Sequence, residues 1–570
     1  MTATTPRAGA APVAERRTSA PSPEVAAGRR AWVLVALATV ASLVARLVLA
    51  RWVDGPFMFQ DEGGYVGVAR AVAGQDPDLY GPTYHPLWGL LLAPAAALLD
   101  PAGQQTAAQV LNAVAAAATI PVLHLLGRRV CGLPPTTAAL AAIAGGLTAA
   151  SFVQATMLLP EVLLALLVAT TVVLVHEALA RATTASAVAA GVAAGAAYGA
   201  HPRALVLVLA VLVVAAVAWR SAAAPARALA TLAGSTLATA AAFQLLHAWA
   251  TARLYPSGTQ PSLAGSPLGA VTEPVGSLVI TLGQSWYLVA ASLGLAALGL
   301  VAAGRLAWTE RRRAAGLTGL LVVLGALGSL ALGTGGSYEV GLADDVHRAD
   351  LPLYGRYLEQ WLPVLVVWAP ALPRRGRRIA VAATAAGVAC VALLLHAVYD
   401  PETWRQPVAW HNVSTLRLPY DVIGKDHLVR TGLVVAGLAL LAALPRRAGD
   451  RRWLLPLAAV AVVNVVAGHW LVRDWAGPSG AHWAERQVIA PALVASGEPA
   501  WVDLDEYHEV AWAYHAQFWH PDLEVRYFEG AVPPEATHLV ARTEAAPAPG
   551  ATMVLTEPHG DYALWTRPPG

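Results

Sequence analysis

Apolar runs of about twenty residues recur along most of the chain, each long enough to cross a hydrocarbon core of roughly 30 Å as a helix. This criterion predicts thirteen spans, at 31–51, 106–126, 135–154, 161–180, 184–200, 203–219, 227–249, 276–303, 316–333, 353–371, 379–398, 428–444 and 453–472. The connecting loops test the count. On one side they carry Arg128 and Arg129, Arg181, Arg220 and Arg227, Arg311 to Arg313, the group Arg374, Arg375, Arg377 and Arg378, and the group Arg446, Arg447, Arg451 and Arg452. Loops on the other side carry far fewer. This is the positive-inside bias, and a span missed in the middle would reverse it for every later loop. It predicts an inner (plasma) membrane protein that crosses many times, with its N-terminus cytoplasmic and its C-terminus outside. One more apolar run, "HPLWGLLLAPAAALL" from His85 to Leu99, would invert all the downstream loops if read as a span, so it is laid along the surface or given a shallow dip.

The two ends differ in kind. Residues 1–28 are rich in Ala, Pro, Thr and Ser and read as a disordered cytoplasmic tail. Beyond the last span, from 473 to 570, strand-like runs "AWVDLD", "LEVRYF", "THLVAR" and "TMVLTE" alternate with Pro and Gly turns and a helix-like "EYHEVAWAYHAQFW". The predicted fold is an all-α polytopic membrane domain of about 13 helices over 29–472, followed by a small extracytoplasmic α/β domain. Composition agrees: 56% of the 570 residues are hydrophobic and 13% charged, against roughly 25% charged in a soluble domain. That balance excludes a soluble globular enzyme. A net charge of +2 excludes a nucleic-acid surface, and two cysteines exclude a disulfide framework.

Candidate chemistry gathers on the outward side. The first outward loop, 52–105, places adjacent carboxylates Asp61 and Glu62 just after the first span and continues into "GYVGVARAVAG", spaced like an amphipathic surface helix. "TMLLPE" (Thr156 to Glu161), "GAHPR" around His201 and Arg203, and "LYGRYLEQWLP" around Arg356 and Tyr357 fall on the same side. An N-terminal span, an outward loop with an acidic pair, a "HPLW" segment and a span ending in "LLGRRV", in that order, resemble the GT-C superfamily of polyprenyl-phosphate-sugar glycosyltransferases. Within it the chain is similar to the bacterial protein-O-mannosyltransferase, aminoarabinose-transferase and actinobacterial cell-wall transferase branches, and the matching elements cover roughly residues 30–370.

The resemblance implies a sugar donor on a polyprenyl phosphate, with its tail in the bilayer and its phosphoester at the outer interface. An acceptor hydroxyl of a polysaccharide, lipid or protein then needs a carboxylate base, for which Asp61 is the candidate, with Glu62 beside it. Arg203, Arg356 and Tyr357 are candidates to hold the donor phosphate, and His85, Glu161 and His201 to line the substrate site. An inverting transfer is expected.

Each choice has a rival. Asp61 could cap its helix, Glu62 could pair with Arg70, Arg356 with Glu359, and Glu161 could favour the start of its own helix. Asp344, Asp345 and His347 in one loop could take a divalent cation or be a solvated polar stretch. The alternative function is a transporter or lipid-linked-sugar flippase. Such proteins place ionisable groups near mid-membrane, whereas the span interiors here are nearly free of charge, with neutral exceptions such as Asn112 and Asn464.

Overall fold

Within a bilayer every backbone donor has to be met inside the segment, and runs of Ala, Leu and Val meet that demand as helices. The computed structural model describes residues 23–57, 59–75, 84–254, 274–338, 350–398, 410–424, 427–443, 453–504, 507–544 and 546–568. In chain order the helices are α1 (Pro23–Ala50), α2 (Phe59–Val72), α3 (Leu87–Leu98), α4 (Pro101–Leu125), α5 (Pro135–Gly146), α6 (Ala149–Gln154), α7 (Glu161–Arg181), α8 (Thr184–Ala200), α9 (Leu205–Arg220) and α10 (Ala226–Leu254). They continue with α11 (Pro274–Ala291), α12 (Leu295–Thr309), α13 (Ala314–Tyr338), α14 (Leu362–Trp368), α15 (Arg374–Val398), α16 (Arg417–Ile423), α17 (His427–Ala443), α18 (Leu454–Leu471), α19 (Gly477–Ala484) and α20 (Ile489–Ser496).

The protein is membrane-embedded. Among the described residues eight helices are long and apolar enough to cross a bilayer, or nine when a bent pair is counted as one span. Every one of the thirteen predicted runs is helical over part of its length, but several are broken. The run at 276–303 bends by 104° between α11 and α12, where Leu293 and Gly294 both have positive φ. The run at 135–154 breaks between Gly146 and Ala149, and the exposed helix end is met by Asn464 on α18. Its Oδ1 accepts from the Ala149 amide at 2.9 Å while its Nδ2 donates to the Ala291 carbonyl at 2.9 Å. Asn112 on α4 likewise donates to the carbonyls of Met157 and Leu159, at 2.9 and 3.0 Å. Asn112 and Asn464 thus serve backbone groups at helix breaks.

The structure departs from the sequence reading at three places. Of the stretch 1–28 predicted as a tail, residues 1–22 lie outside the described residues and α1 already starts at Pro23, a residue suited to a first helical position, followed by the helix formers Glu24, Ala26 and Ala27. The domain boundary at 472 falls inside a helix, since α18 runs through a π-helical turn (Val472–Ala476) directly into α19. Helix α2 is no surface helix: Tyr65, Val66, Val68, Ala69, Arg70 and Ala71 are all buried. Its predicted polar side is covered by the C-terminal domain. Helix α3, at 12 residues, is too short to span, as the loop charges required, and Trp88 fastens it by donating to the Leu158 carbonyl at 2.7 Å.

The C-terminal domain consists of β1 (Ala500–Asp503), α21 (Tyr507–Trp519), β2 (Val525–Phe528), β3 (His538–Arg542), β4 (Thr552–Thr556) and β5 (Tyr562–Thr566). The sheet order is β2-β1-β3-β5-β4. Strand β1 runs parallel to β2 and β3, while β5 is antiparallel to both β3 and β4, with Val540 opposite Leu564. Helix α21 packs on α2, and the core is continuous from Tyr65 and Val66 into Trp512, Tyr514 and Phe518.

Candidate functional site

The first turn of α2 carries Asp61, and three other segments bring their chemistry to it. Glu161 opens α7 behind Pro160, where a helix N-terminus favours a carboxylate. Arg203 lies in a 3₁₀ turn (Pro202–Ala204) between α8 and α9, and the His201 Nδ1 accepts from the Arg203 amide at 3.2 Å to fix that turn. Arg356 lies in a second 3₁₀ turn (Gly355–Tyr357) ahead of α14.

Arg356 is the hub. Its Nε donates to Glu161 Oε1 at 2.7 Å, its Nη2 donates to the same oxygen, and its Nη1 donates to Asp61 Oδ2. Arg203 donates through Nη1 to the Arg356 carbonyl at 3.0 Å, lies 3.6 Å from Glu161, and stacks its guanidinium 4.6 Å from the centre of the Tyr357 ring. The side chains of Arg356 and Glu161 are each 4% exposed, whereas Asp61 is 25% exposed. Two carboxylates face two guanidiniums, and only Asp61 opens to the outside. Glu161 Oε2 has no hydrogen-bond partner among the described residues, and a cavity of about 20 Å³ lined by Glu161, Arg356, Gln154, Glu359 and Gln360 lies beside it, room for a single water.

Tyr84, just ahead of α3, completes the site and is absent from the sequence-based candidates. Its hydroxyl donates to Asp61 Oδ1, and its ring stacks on Tyr65 at 4.7 Å. Burial pushes the Asp61 carboxyl up, but the Arg356 guanidinium and the hydrogen bonds from Tyr84 and Arg356 outweigh it and hold the group below 3.8. Burial and the neighbouring Asp61 charge push the Tyr84 phenol well above its ordinary 10, so it remains a donor. Asp61 is therefore an ionised, oriented carboxylate.

The other sequence candidates divide. His85 stacks on His247 at 4.7 Å and meets Tyr198 edge-on at 4.4 Å, while the His201 ring is 6.3 Å from Tyr84. Burial pushes His85 down to about 3 and His201 well below 6.5, so both are neutral neighbours of the charged cluster. Glu62 is buried, with its oxygens accepting from the amides of Phe57 and Leu158 at 2.8 and 2.7 Å. These bonds tie α2 to the loop before α7. The alternative pairings do not form: Arg70 donates to the carbonyls of Gln517 and Phe518, and Glu359 accepts from Tyr287 Oη and Gln154 Nε2 at 2.6 and 2.7 Å. Asp344, Asp345 and His347 lie outside the described residues. Among the described residues no three His, Cys, Asp or Glu side chains are grouped to hold a metal ion.

No family model and no curated protein matches the chain. Among solved structures it is similar to ArnT from Cupriavidus metallidurans in the apo state, with a TM-score of 0.53 and 16% identity over 94% of this chain and 98% of that one. The structure of ArnT from the same organism bound to undecaprenyl phosphate matches with a TM-score of 0.52 and 17% identity, over 94% and 97% of the two chains. At this identity the likeness is one of fold.

Proposed function

We propose that this protein is a membrane glycosyltransferase that moves a sugar from a polyprenyl-phosphate donor to an acceptor hydroxyl at the outer face of the membrane. The observation that carries this reading is the Asp61–Arg356–Glu161 cluster, a partly open carboxylate beside buried guanidiniums. It is supported by the fold shared with a protein whose solved structure holds undecaprenyl phosphate, and by the bias of the arginine-rich loops, which favours an outward Asp61.

In this reading the acceptor oxygen attacks the anomeric carbon as Asp61 takes its proton. The bond from that carbon to the phosphate oxygen breaks, and its electron pair stays on the lipid phosphate. Arg356 and Arg203 offer that growing charge fixed donors in a water-poor setting. Tyr84 holds one Asp61 oxygen in place, leaving the carboxylate with a fixed aim. Glu161 holds both guanidiniums in place before the donor arrives.

The test is transfer by the reconstituted full-length protein from a panel of polyprenyl-phosphate sugars to cell-envelope acceptors, run beside Asp61→Asn. Transfer by the wild type alone is expected, since the amide keeps the shape and cannot take the proton. Equal rates would remove Asp61 as base, and no transfer from any donor by folded protein would refute the function.

A further inference from the structure

Asp61 and Arg70 share helix α2, nine residues or about 13.5 Å apart. Arg70 is 2% exposed and forms no ion pair within 4 Å among the described residues. Its Nη1 donates to the Gln517 carbonyl at 2.9 Å and its Nη2 to the Phe518 carbonyl at 2.8 Å. Those carbonyls belong to the last turn of α21, the negative end of that helix, so the charge of Arg70 is met mainly by the C-terminal domain, with Gln104 Oε1 on α4 accepting from Nη2 at the longer distance of 3.5 Å. The planar fork reaches two carbonyls at once and fixes an angle as well as a distance. Toward the other end of α2, Gly63 lies so close to α21 that a Cβ there would be 2.7 Å from Tyr514 Cδ1. Between these contacts only about 10 Å³ of free space remains, lined by Glu62, Gly63, Val66, Arg70, Tyr514 and Phe518 among others. The seam is tightly packed.

We infer that the C-terminal domain is a working part of the site: through Arg70 it clamps α2 and keeps Asp61 aligned with Arg356 and Tyr84, which makes Arg70 a positioning residue. This rests on the reading of Asp61 as the base. Among the described residues no hydrogen bond or ion pair joins the domain to Asp61, Glu161, Arg203 or Arg356, so its effect passes along α2.

The test uses the full chain in proteoliposomes. Arg70→Met should lower kcat about 100-fold, the scale of a misplacement of about 1 Å, with donor KM changed by less than about twofold, because groups that bind donor are untouched. Arg70→Lys, which keeps a cation at the carbonyls, should recover part of the rate. Gly63→Ala, which wedges the seam without touching Arg70, should also lower kcat, and Gly63→Ala with Tyr514→Ala should restore it. Hydrogen exchange, which needs no donor, should speed up across α2 in Arg70→Met. Unchanged exchange in α2, or faster exchange with wild-type kcat, would overturn the inference. A wild type that transfers from no donor would overturn the catalytic reading, while the exchange result would still decide whether the clamp exists.

Discussion

Arg356→Met is the most demanding perturbation of this site, because one side chain neutralises two carboxylates. Methionine keeps the length and the stem packing but removes the charge. Glu161, 4% exposed, would be left with Arg203 at 3.6 Å as its cation, and Asp61 with the Tyr84 hydroxyl. Removing one partner of a buried ion pair costs about 3–5 kcal/mol, mostly through the charge left behind. Asp61 is 25% exposed and can hydrate, and Arg203 still serves Glu161, so the lower end, about 3 kcal/mol, is expected. Adding Glu161→Gln removes the orphaned charge and should return about 2 kcal/mol of that loss. Denaturant unfolding of purified protein reads the stability, and transfer from polyprenyl-phosphate sugars reads the chemistry. Both variants should be inactive, since neither restores the guanidinium for the lipid phosphate. Equal stability of single and double variants would refute mutual compensation in the cluster, and recovered transfer in the double variant would refute the phosphate role of Arg356.

Two further outcomes follow from the same geometry. Because Asp61 is held below the ordinary carboxylate value, the wild-type kcat/KM plateau should extend to lower pH than an unperturbed carboxylate base would allow; Tyr84→Phe removes one of the bonds that lower it and should shift this acid limb to higher pH, and an unmoved limb would remove Tyr84 as its partner. The stability sign agrees: a depressed carboxyl stabilises the fold above its unfolded pKa and loses that contribution as pH falls through the folded one. Glu62→Gln leaves one amide acceptor where two served Phe57 and Leu158, and should cost about 1.5–3 kcal/mol in unfolding while kcat per folded molecule changes little; a stable but inactive variant would return Glu62 to the chemistry.

The legible parts of this protein are those with a strong local signal. Hydropathy located the thirteen runs, loop charge predicted that "HPLWGLLLAPAAALL" stays short, and period-two patterning located four of five strands. Strand β5, "YALWT", lacks alternation because nearly all of it is buried. Asp61, Glu161, Arg203 and Arg356 were each suspected from outward placement, and the fold brings all four together. Tyr84 sits in a loop without periodicity, one residue before a motif that drew attention to His85 instead. Glu62 could not be told from Asp61 because the two are adjacent, and only the turn of the helix sends one to the opening and the other to backbone amides. The burial of α2 depends on a domain more than four hundred residues later, as the separation of 448 between Arg70 and Phe518 records. No window along the sequence carries that.

Those long separations also fix an order of events during synthesis. The bond from Arg356 to Asp61 spans 295 positions and the bond from Arg70 to Phe518 spans 448. While the ribosome is still making the middle of the chain, Asp61 has no guanidinium and Arg70 has no carbonyls to hold it. The ion cluster closes when residue 356 has been delivered, and α2 is locked when α21 emerges. A nascent chain therefore carries its acidic residue unaimed until residue 356 and the last domain have both been made.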